Sequence, residues 1–292
     1  MIEAKSVKKR YKKGGFFSKS CVYAIKDISV SIQRGENIGI LGESGAGKST
    51  LARILSLLEP PSSGAVFVDS KKITNRIDKT LRRKIGVIFQ NPSGSLDPRI
   101  KILSALQEAL KDKKDIDKIY EYCQIADVKK ILLDRYPNQL SGGEQQRVAI
   151  ARSLIADPDY IIFDEATSSL DVSTQARIMN MLVDLKSRKN YSYIFISHDL
   201  KLTTFIADRI YILYDGYVIE ETDYLNIYTK PLHPYTKMLT GNDYIEYIEG
   251  DFTKNACPFY PFCRFRKKRC SENTPDLINI DSTHSARCFL YD

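Results

Sequence analysis

A glycine-rich loop at residues 42–50 constrains the fold of this chain more than any other stretch. It follows the pattern of a glycine, four further residues and then Gly-Lys-Ser. Its residues are Gly42, Glu43, Ser44, Gly45, Ala46, Gly47, Lys48, Ser49 and Thr50. An apolar run at 37–41 precedes the loop, and aliphatic residues at helical spacing follow it at 51–58. The pattern therefore predicts a strand, a loop and a helix in succession.

This arrangement is suited to binding phosphate. Glycines let successive backbone N–H groups converge on phosphate oxygens, and the N-terminus of the following helix adds its positive end. Lys48 is predicted to meet the β- and γ-phosphates of a nucleotide, and Ser49 a Mg²⁺ ion. The alternative is a glycine-rich turn that binds nothing, and it requires the full pattern to fall between strand and helix by accident.

The composition is typical of a soluble globular protein of one large or two modest domains, with 292 residues, 43% hydrophobic and 27% charged. The net charge of +8 comes from short, scattered basic clusters, which fits either a solvated basic surface or one close to a membrane. No apolar run approaches the roughly 20 residues that span a bilayer, and residues 1–10 lack a signal-peptide core. We therefore expect the chain to stay in the cytosol.

The secondary-structure pattern changes along the chain. Residues 1–41 favour strands, interrupted by a basic insert that runs from Tyr11 to Ser18. Tyr11 is the best-placed aromatic for stacking on an adenine ring, although a surface tyrosine without a ligand fits the pattern too. Short strands are predicted at 65–68 and 85–89, and helical periodicity from 91 to about 156 indicates an inserted helical subdomain.

The last helix of that subdomain begins with Ser141, Gly142 and Gly143. Serine is a favoured N-cap, and two glycines beside it allow an anion to approach the helix end closely. Taken alone, the same residues describe a capped helix with no ligand.

Two further strands are predicted to end in polar side chains. The apolar run 160–163 leads into Asp164 and Glu165, at the edge of a parallel sheet where ligands bind. Asp164 is predicted to hold Mg²⁺ through its hydration shell, and Glu165 to polarise an attacking water; a solvated acidic pair is the alternative. The strand 191–196 leads to His198, one of three histidines, which is predicted to contact the γ-phosphate.

The motifs together resemble those of ABC-transporter nucleotide-binding subunits. Besides the phosphate loop, Asp164, Glu165 and His198, the set comprises Gln90, Leu140-Ser141-Gly142-Gly143-Glu144-Gln145-Gln146-Arg147 and Ser169-Leu170-Asp171, and it covers residues 1 to about 225. The resemblance implies an α/β fold with a RecA-like P-loop core, an antiparallel β subdomain, an inserted helical subdomain and a small C-terminal extension. The implied boundaries are 1–90 with 157–228 for the core, 91–156 for the helical subdomain and 229–292 for the extension.

The same resemblance implies how ATP and Mg²⁺ are held. Gln90 joins Ser49 and Asp164 around the metal ion. Two chains form a head-to-tail dimer, in which the phosphate loop of one chain meets Ser141, Gly142 and Gly143 of the other, and Asp171 belongs to the nucleotide site.

More narrowly, the chain resembles the second ATPase subunit of oligopeptide, dipeptide and nickel importers. The residues that carry this are the insert before Cys21, Phe89-Gln90-Asn91-Pro92, Ser95-Leu96-Asp97-Pro98-Arg99 and His233-Pro234-Tyr235-Thr236. The resemblance implies a related but different ATPase partner, two membrane permease subunits, an external solute-binding protein and a peripheral position on the cytoplasmic face of the membrane. Glu144 and Ala166 depart from the subfamily, in which glutamine and proline are usual.

Four of the six cysteines lie between residues 257 and 288. In a reducing compartment they predict a metal or cluster site in preference to a disulfide framework. Their intervals of five, six and seventeen residues fit a zinc knuckle poorly. The subfamily resemblance implies a [4Fe–4S] cluster held by Cys257, Cys263, Cys270 and Cys288. Four unligated thiols are the alternative.

Function at this stage has one leading hypothesis and two alternatives. The leading one is an ATPase that powers import of peptides, or of nickel or other metal chelates, with no nucleic-acid partner. A soluble ABC protein acting on ribosomes or nucleic acid fits less well, because such chains carry two cassettes or a long coiled-coil insertion. An ABC exporter ATPase fits less well because of the importer-like C-terminal extension.

Overall fold

The structure is a computed structural model, and it describes residues 1–12, 21–74, 79–112, 115–168, 170–243, 247, 253 and 255–292. Residues 13–20, which include most of the basic insert, and Ser169 of the Ser-Leu-Asp motif lie outside the described residues. In the described part of the chain the strands are β1 (Ile2–Lys12), β2 (Cys21–Ile32), β3 (Asn37–Leu41), β4 (Ser63–Val68), β5 (Lys71–Lys72), β6 (Ile85–Phe89), β7 (Tyr160–Asp164), β8 (Ser192–Ser197), β9 (Arg209–Tyr214), β10 (Tyr217–Asp223), β11 (Ile278–Asn279) and β12 (Ser285–Ala286).

Short and medium-length helices connect these strands. Over the same ranges they are α1 (Lys48–Leu55), α2 (Lys79–Arg82), α3 (Ile102–Gln107), α4 (Ile116–Ile125), α5 (Gly142–Ile155), α6 (Val172–Arg188), α7 (Leu200–Ile206), α8 (Asn226–Thr229), α9 (Pro234–Leu239) and α10 (Lys268–Glu272). Single 3₁₀ turns occur at Pro92–Ser95, Lys130–Leu132, Pro137–Gln139 and Tyr260–Phe262. Among the described residues no helix combines the length and apolarity needed to cross a bilayer.

The chain divides into two compact units that alternate along the sequence. The first comprises 1–31, 37–72 and 197–292, and the second comprises 32–36 and 73–196. The boundaries predicted from sequence (1–90 with 157–228, 91–156 and 229–292) group residues by their expected function and not by compactness. They stay a prediction.

The first unit is built on a mixed sheet in the order β5-β4-β1-β2-β10-β9-β3. β1 pairs with β4, and β9 with β10, in antiparallel fashion, whereas β3 and β9 are parallel. β9 and β10 form a hairpin, as the dipeptide Asp215-Gly216 between two apolar runs predicts, and both turn residues have positive φ.

The C-terminal extension adds to this sheet. β12 pairs with β10 through Glu220 and Ala286, and β11 pairs with β12. These two-residue strands have no signal in the sequence, because pairing of such short segments depends on the partner strand and not on local periodicity.

The second unit contains the parallel strands β6, β7 and β8. Every residue of the central strand β7 is buried, as its unbroken apolar sequence predicts. The helical segment contains α3, α4 and α5, and α5 buries Val148, Ala151 and Leu154. The predicted strand 85–89 and the helical character of 91–156 are confirmed.

Candidate nucleotide site

The phosphate loop lies in the first unit, between β3 and α1, as its sequence predicts. Gly47 has a φ of 100°, and a Cβ there would stand 2.5 Å from the carbonyl oxygen of Ala24. A Cβ on Gly42 would stand 2.4 Å from the carbonyl oxygen of Leu213. Neighbouring backbone therefore excludes any larger residue at both ends of the loop. Gly45 differs, because it faces open space with nothing within 4 Å.

Lys48 places its ammonium group inside the loop. Its Nζ donates to the carbonyl oxygens of Gly42 at 2.8 Å and Glu43 at 3.0 Å, and the residue is only 4% exposed. A buried cation held by loop carbonyls, at the N-terminus of a helix, is an arrangement that favours an anionic ligand. Ser49 lies in the first turn of the same helix, α1.

Two contacts that the sequence did not predict brace this loop. The backbone N–H of Glu43 donates to the hydroxyl of Tyr235 at 3.2 Å. The backbone N–H of Gly216, in the β9–β10 turn, donates to the carbonyl oxygen of Ala46 at 3.2 Å. Tyr235 is fully buried in α9, so the C-terminal extension takes part in shaping the phosphate loop.

His198 follows β8 and is exposed. The next residue, Asp199, caps α7 by accepting a hydrogen bond from the N–H of Leu202 at 3.1 Å. The side chain of Ser197 accepts from the N–H of Asp199 at 2.9 Å. These bonds fix the backbone on both sides of the imidazole and leave the ring at the surface.

Tyr11, the predicted adenine-stacking residue, has its own partners at the end of β1. Its hydroxyl donates to Glu59 at 2.8 Å, and the ammonium of Lys9 lies 5.4 Å from its ring centroid. Lys9 also pairs with Glu59 at 2.8 Å. The lysine and the tyrosine hydroxyl both lower the pKa of Glu59, against the opposing effect of burial. The tyrosine ring is therefore oriented by an ion pair that the sequence did not indicate.

The second unit carries the predicted acidic pair at the end of β7. The strand register sets Phe89 of β6 opposite Asp164, so Gln90 and Glu165 follow at the same edge. Asp164 is 6% exposed. The amide Nε2 of Gln90 lies 3.4 Å from Oε2 of Glu165, which brings these two predicted site residues together.

Glu165 has a left-handed backbone, with φ of 49°, which is unfavourable for a residue with a side chain. Its conformation is held from two sides. Its N–H donates to the carbonyl oxygen of Ile196 at 3.0 Å, and its own carbonyl accepts from the hydroxyl of Ser168 at 2.9 Å. Strain of this kind persists where the surrounding structure fixes it, and it is common at catalytic positions.

Ser141 is the N-cap of α5 and forms a reciprocal capping box with Glu144. The N–H of Ser141 donates to Oε2 of Glu144 at 2.8 Å, and the N–H of Glu144 donates to the serine Oγ at 3.3 Å. The hydrogen bond from Ser141 lowers the pKa of Glu144. A carboxylate at this position, where glutamine is usual in the subfamily, therefore completes the cap.

Asp171 caps α6 in the same way, by accepting from the N–H of Thr174 at 2.9 Å, a hydrogen bond that lowers the pKa of the aspartate. The N-termini of α5 and α6 line one open cavity of about 530 Å³. Three cations also line it: Arg147, which ends the stretch 140–147, and Lys129 and Arg177, for which the sequence predicted no role. The carboxylates of Asp127, Glu144 and Asp171 line the same cavity and balance these cations, so the two helix N-termini are the feature that suits it to an anion.

The cysteine prediction needs correction. All six cysteines are free, and Cys257, Cys263, Cys270 and Cys288 line a single small cavity beside Phe259 and Phe289. Among the described residues, however, no three histidine, cysteine or acidic side chains are placed to hold a metal ion. The predicted iron–sulfur cluster is therefore wrong for this structure.

Burial is the physical reason. Desolvation raises the pKa of Cys257 to about 12 and that of Cys263 to about 11, and it also raises the pKa of Cys288. Metal ligation needs thiolates, and burial disfavours the thiolate form of these three side chains. The N–H of Cys257 donates to the carbonyl of Cys270 at 2.9 Å, so the cysteine segments pack through their backbones.

Comparison with known proteins places this geometry in a family. The family model described as "ABC transporter" matches residues 25–168. The dipeptide transport ATP-binding protein DppF of Haemophilus influenzae is 36% identical, over 100% of this chain and 97% of the relative. The chain belongs to the ATP-binding subunits of ABC transporters.

This ABC ATPase has further relatives at similar distance. The oligopeptide transport ATP-binding protein AppF of Bacillus subtilis is 32% identical, over 100% of this chain and 97% of AppF. A solved bacterial ABC transporter cassette, MJ0796, described as dimeric, matches with a TM-score of 0.69 and 34% identity, covering 77% of this chain and 99% of the cassette. The same cassette is known in a post-hydrolysis state bound to ADP and Pi, with the same scores. The fold of this chain is thus that of an ABC ATPase, and ATP is its substrate.

The residues present fit ATP and a divalent cation. In the first unit the loop amides, Lys48 and Ser49 supply an anion cradle and a hydroxyl oxygen. In the second unit Gln90 and the nearly buried carboxylate of Asp164 carry oxygen atoms of the hard kind that Mg²⁺ prefers, and they would be its ligands.

Proposed function

We propose that this ABC ATPase powers the uptake of peptides through separate membrane subunits. The observation that carries the proposal is the match to DppF along the whole chain, including the C-terminal extension beyond the ATPase motifs. The dipeptide and oligopeptide transport names of the relatives support peptides as the solute, in preference to nickel or metal chelates.

In this proposal the phosphate loop binds the triphosphate of ATP. The ammonium of Lys48 exchanges its bonds to the carbonyls of Gly42 and Glu43 for phosphate oxygens. Other backbone amides of the loop donate to the phosphates, while the N–H of Glu43 stays on the hydroxyl of Tyr235. Tyr11, oriented by Glu59, stacks on the adenine ring.

Hydrolysis is assigned to Glu165. A carboxylate can accept the proton of a water that attacks the γ-phosphate, and Gln90 holds this carboxylate through its amide. Ser49, Gln90 and Asp164 would hold a Mg²⁺ ion, which would neutralise charge that develops on the phosphate oxygens. His198 donates a hydrogen bond to the γ-phosphate from the surface position fixed by Asp199 and Ser197.

The signature residues Ser141, Gly142 and Gly143 serve a partner's nucleotide. Their helix end opens onto a cavity that Asp171 also lines, so a phosphate group of another chain would meet the positive end of the α5 helix there. The dimeric state named for MJ0796 supports such an assembly. We propose that the partner is a related but different ATPase subunit, and that the pair docks on two permease subunits at the cytoplasmic face of the membrane, with an external solute-binding protein.

The test is peptide uptake by the complete transporter, reconstituted with this subunit or with its Lys48→Ala variant. We expect ATP-dependent peptide uptake with the unchanged subunit and none with the variant. Lys101→Ala, which alters an exposed lysine paired with Asp134, is the matched control and should transport normally. Uptake of nickel but not of peptide would overturn the proposed solute, and uptake by the Lys48→Ala complex would overturn the proposed energy source.

A further inference from the structure

A basic patch lies on the C-terminal extension, well apart in sequence from the ATPase motifs. It consists of Lys237, Arg264, Arg266, Lys267, Lys268 and Arg269. Within 264–269 the only uncharged residue is Phe265, whose side chain remains 37% exposed. None of these residues takes part in the proposed binding or hydrolysis of ATP.

Aromatic rings hold several of these cations in place. The distances from cation to ring centroid are 4.8 Å for Arg264 over Phe265, 5.6 Å for Lys237 over Phe265, 5.0 Å for Arg266 over Tyr260 and 4.4 Å for Arg269 over Phe289. Such contacts fix the position of a cation without neutralising it, because an aromatic ring carries no net charge. The patch therefore presents positive charge from a preformed surface.

Carboxylates offset only part of this charge among the described residues. Asp243 pairs with Arg264 at 3.2 Å, and Asp292 pairs with Arg269 at 3.4 Å. Lys267 donates to a neutral acceptor, the carbonyl of Phe289, at 3.2 Å. Lys268 opens α10 and is exposed. Lysines 267 and 268 thus keep their charge at the surface.

We propose that this patch binds anionic lipid headgroups and holds the extension against a membrane surface. Lysine and arginine clusters with an exposed ring between them are the chemistry of interfacial membrane contact, in which charge attracts the phosphates and the ring enters the headgroup layer. A fluid lipid surface also suits the patch because Arg264 and Arg269 already use guanidinium N–H groups within the chain. The remaining attraction depends on charge and not on a fixed set of hydrogen-bond acceptors.

The proposal does not depend on which solute is carried, and it is tested on the full-length purified protein. Its binding to phosphatidylcholine vesicles is compared, by co-sedimentation, with binding to the same vesicles containing phosphatidylglycerol. We expect binding to the anionic vesicles only, and loss of binding as salt is added. The double variant Lys267→Gln/Lys268→Gln should bind roughly 30-fold more weakly, at about fivefold for each charge removed.

Matched controls distinguish the effect of the patch on vesicle binding from the effect of the protein's net charge. Lys71→Gln/Lys72→Gln removes the same charge from two exposed lysines of β5 and should bind vesicles as the unchanged protein does. A third variant, Phe265→Ser, keeps every charge and should bind more weakly. ATP hydrolysis of all three variants should equal that of the unchanged protein, so failure here is distinct from failure of the ATPase assignment. The proposal would be overturned if the two double-lysine variants lost vesicle binding equally, or if the protein bound vesicles of phosphatidylcholine alone. It would also be overturned if the protein bound a single-stranded RNA and no vesicles.

Discussion

The imidazole Nε2 of His284 lies 2.7 Å from a carboxylate oxygen of Glu220, and both side chains are fully buried. Glu220 is on β10, whereas His284 belongs to the C-terminal extension. The same carboxylate accepts the backbone N–H groups of Leu232 at 2.9 Å and His233 at 2.6 Å. One buried carboxylate therefore fastens the extension to the sheet of the first unit at three points.

Replacing this carboxylate should destabilise the protein. Glu220→Gln leaves a single acceptor oxygen for three donors and turns an amide N–H₂ toward backbone N–H groups. We expect the free energy of unfolding to fall by about 3 kcal/mol, as for breaking a buried pair. Glu221→Gln is the control, because the pair of Glu221 with Arg209 at 2.6 Å is partly exposed and should cost less than about 1 kcal/mol. Equal urea midpoints for the two variants would contradict this.

His233 should make the protein acid-sensitive. Burial lowers its pKa to about 4, with Glu220 opposing and Lys237 adding to that shift. An unfolded histidine titrates near about 6.5, so between these values the unfolded chain binds more protons. Stability from this group is complete above about pH 6.5 and is lost as the pH falls toward 4, by up to about 3 kcal/mol. His233→Asn keeps an acceptor for the N–H of Tyr235, and urea unfolding should show a shallower acid loss for it. If the free energy of unfolding fell equally with acid in His233→Asn and in the unchanged protein, this prediction would be wrong.

Glu165→Gln should bind ATP normally but hydrolyse it at least about 100-fold more slowly, because the amide keeps the shape of the side chain and loses the basic oxygen. Nucleotide binding is measured by equilibrium dialysis and hydrolysis by phosphate release, both on the assembled complex. Glu108→Gln, whose carboxylate pairs with Arg152 in the helical segment, is the control and should hydrolyse ATP at the normal rate. Normal turnover by Glu165→Gln would show that another group activates the water.

Ser141→Ala should impair hydrolysis at the partner's nucleotide. The change also removes an N-cap, which costs about 1 kcal/mol of stability. Asp115→Ala provides a matched control, because Asp115 caps α4 by accepting from the N–H of Lys118 at 3.1 Å. Both variants should melt earlier by similar amounts, and only Ser141→Ala should reduce ATP hydrolysis. If Asp115→Ala reduces hydrolysis equally, the loss is one of stability and the signature assignment is wrong.

The sequence predicted the parts of the fold that depend on neighbouring residues. The strand 37–41, the cap at Ser141 and the turn at Asp215 and Gly216 each follow from residue types a few positions apart. Contacts between distant segments were not predictable in this way. Nothing in the local pattern shows that Glu220 meets His284, 64 residues later.

The cysteine prediction fails for a related reason. Spacing and resemblance specify which thiols are near one another in sequence, and Cys257, Cys263, Cys270 and Cys288 do line one cavity. They do not specify how the thiols point or how strongly burial raises their pKa values. No role was predicted for Lys129 and Arg177 because neither belongs to a motif, and only folding brings them to one cavity with Arg147.

The hydrogen bond from the N–H of Glu43 to the hydroxyl of Tyr235 joins residues 192 positions apart. During synthesis the phosphate loop leaves the ribosome long before Tyr235 does. A nascent chain that ends before α9 has every residue of the loop but not the side chain that braces it. The nucleotide site of this subunit is therefore completed late in translation, when the extension packs against the first unit.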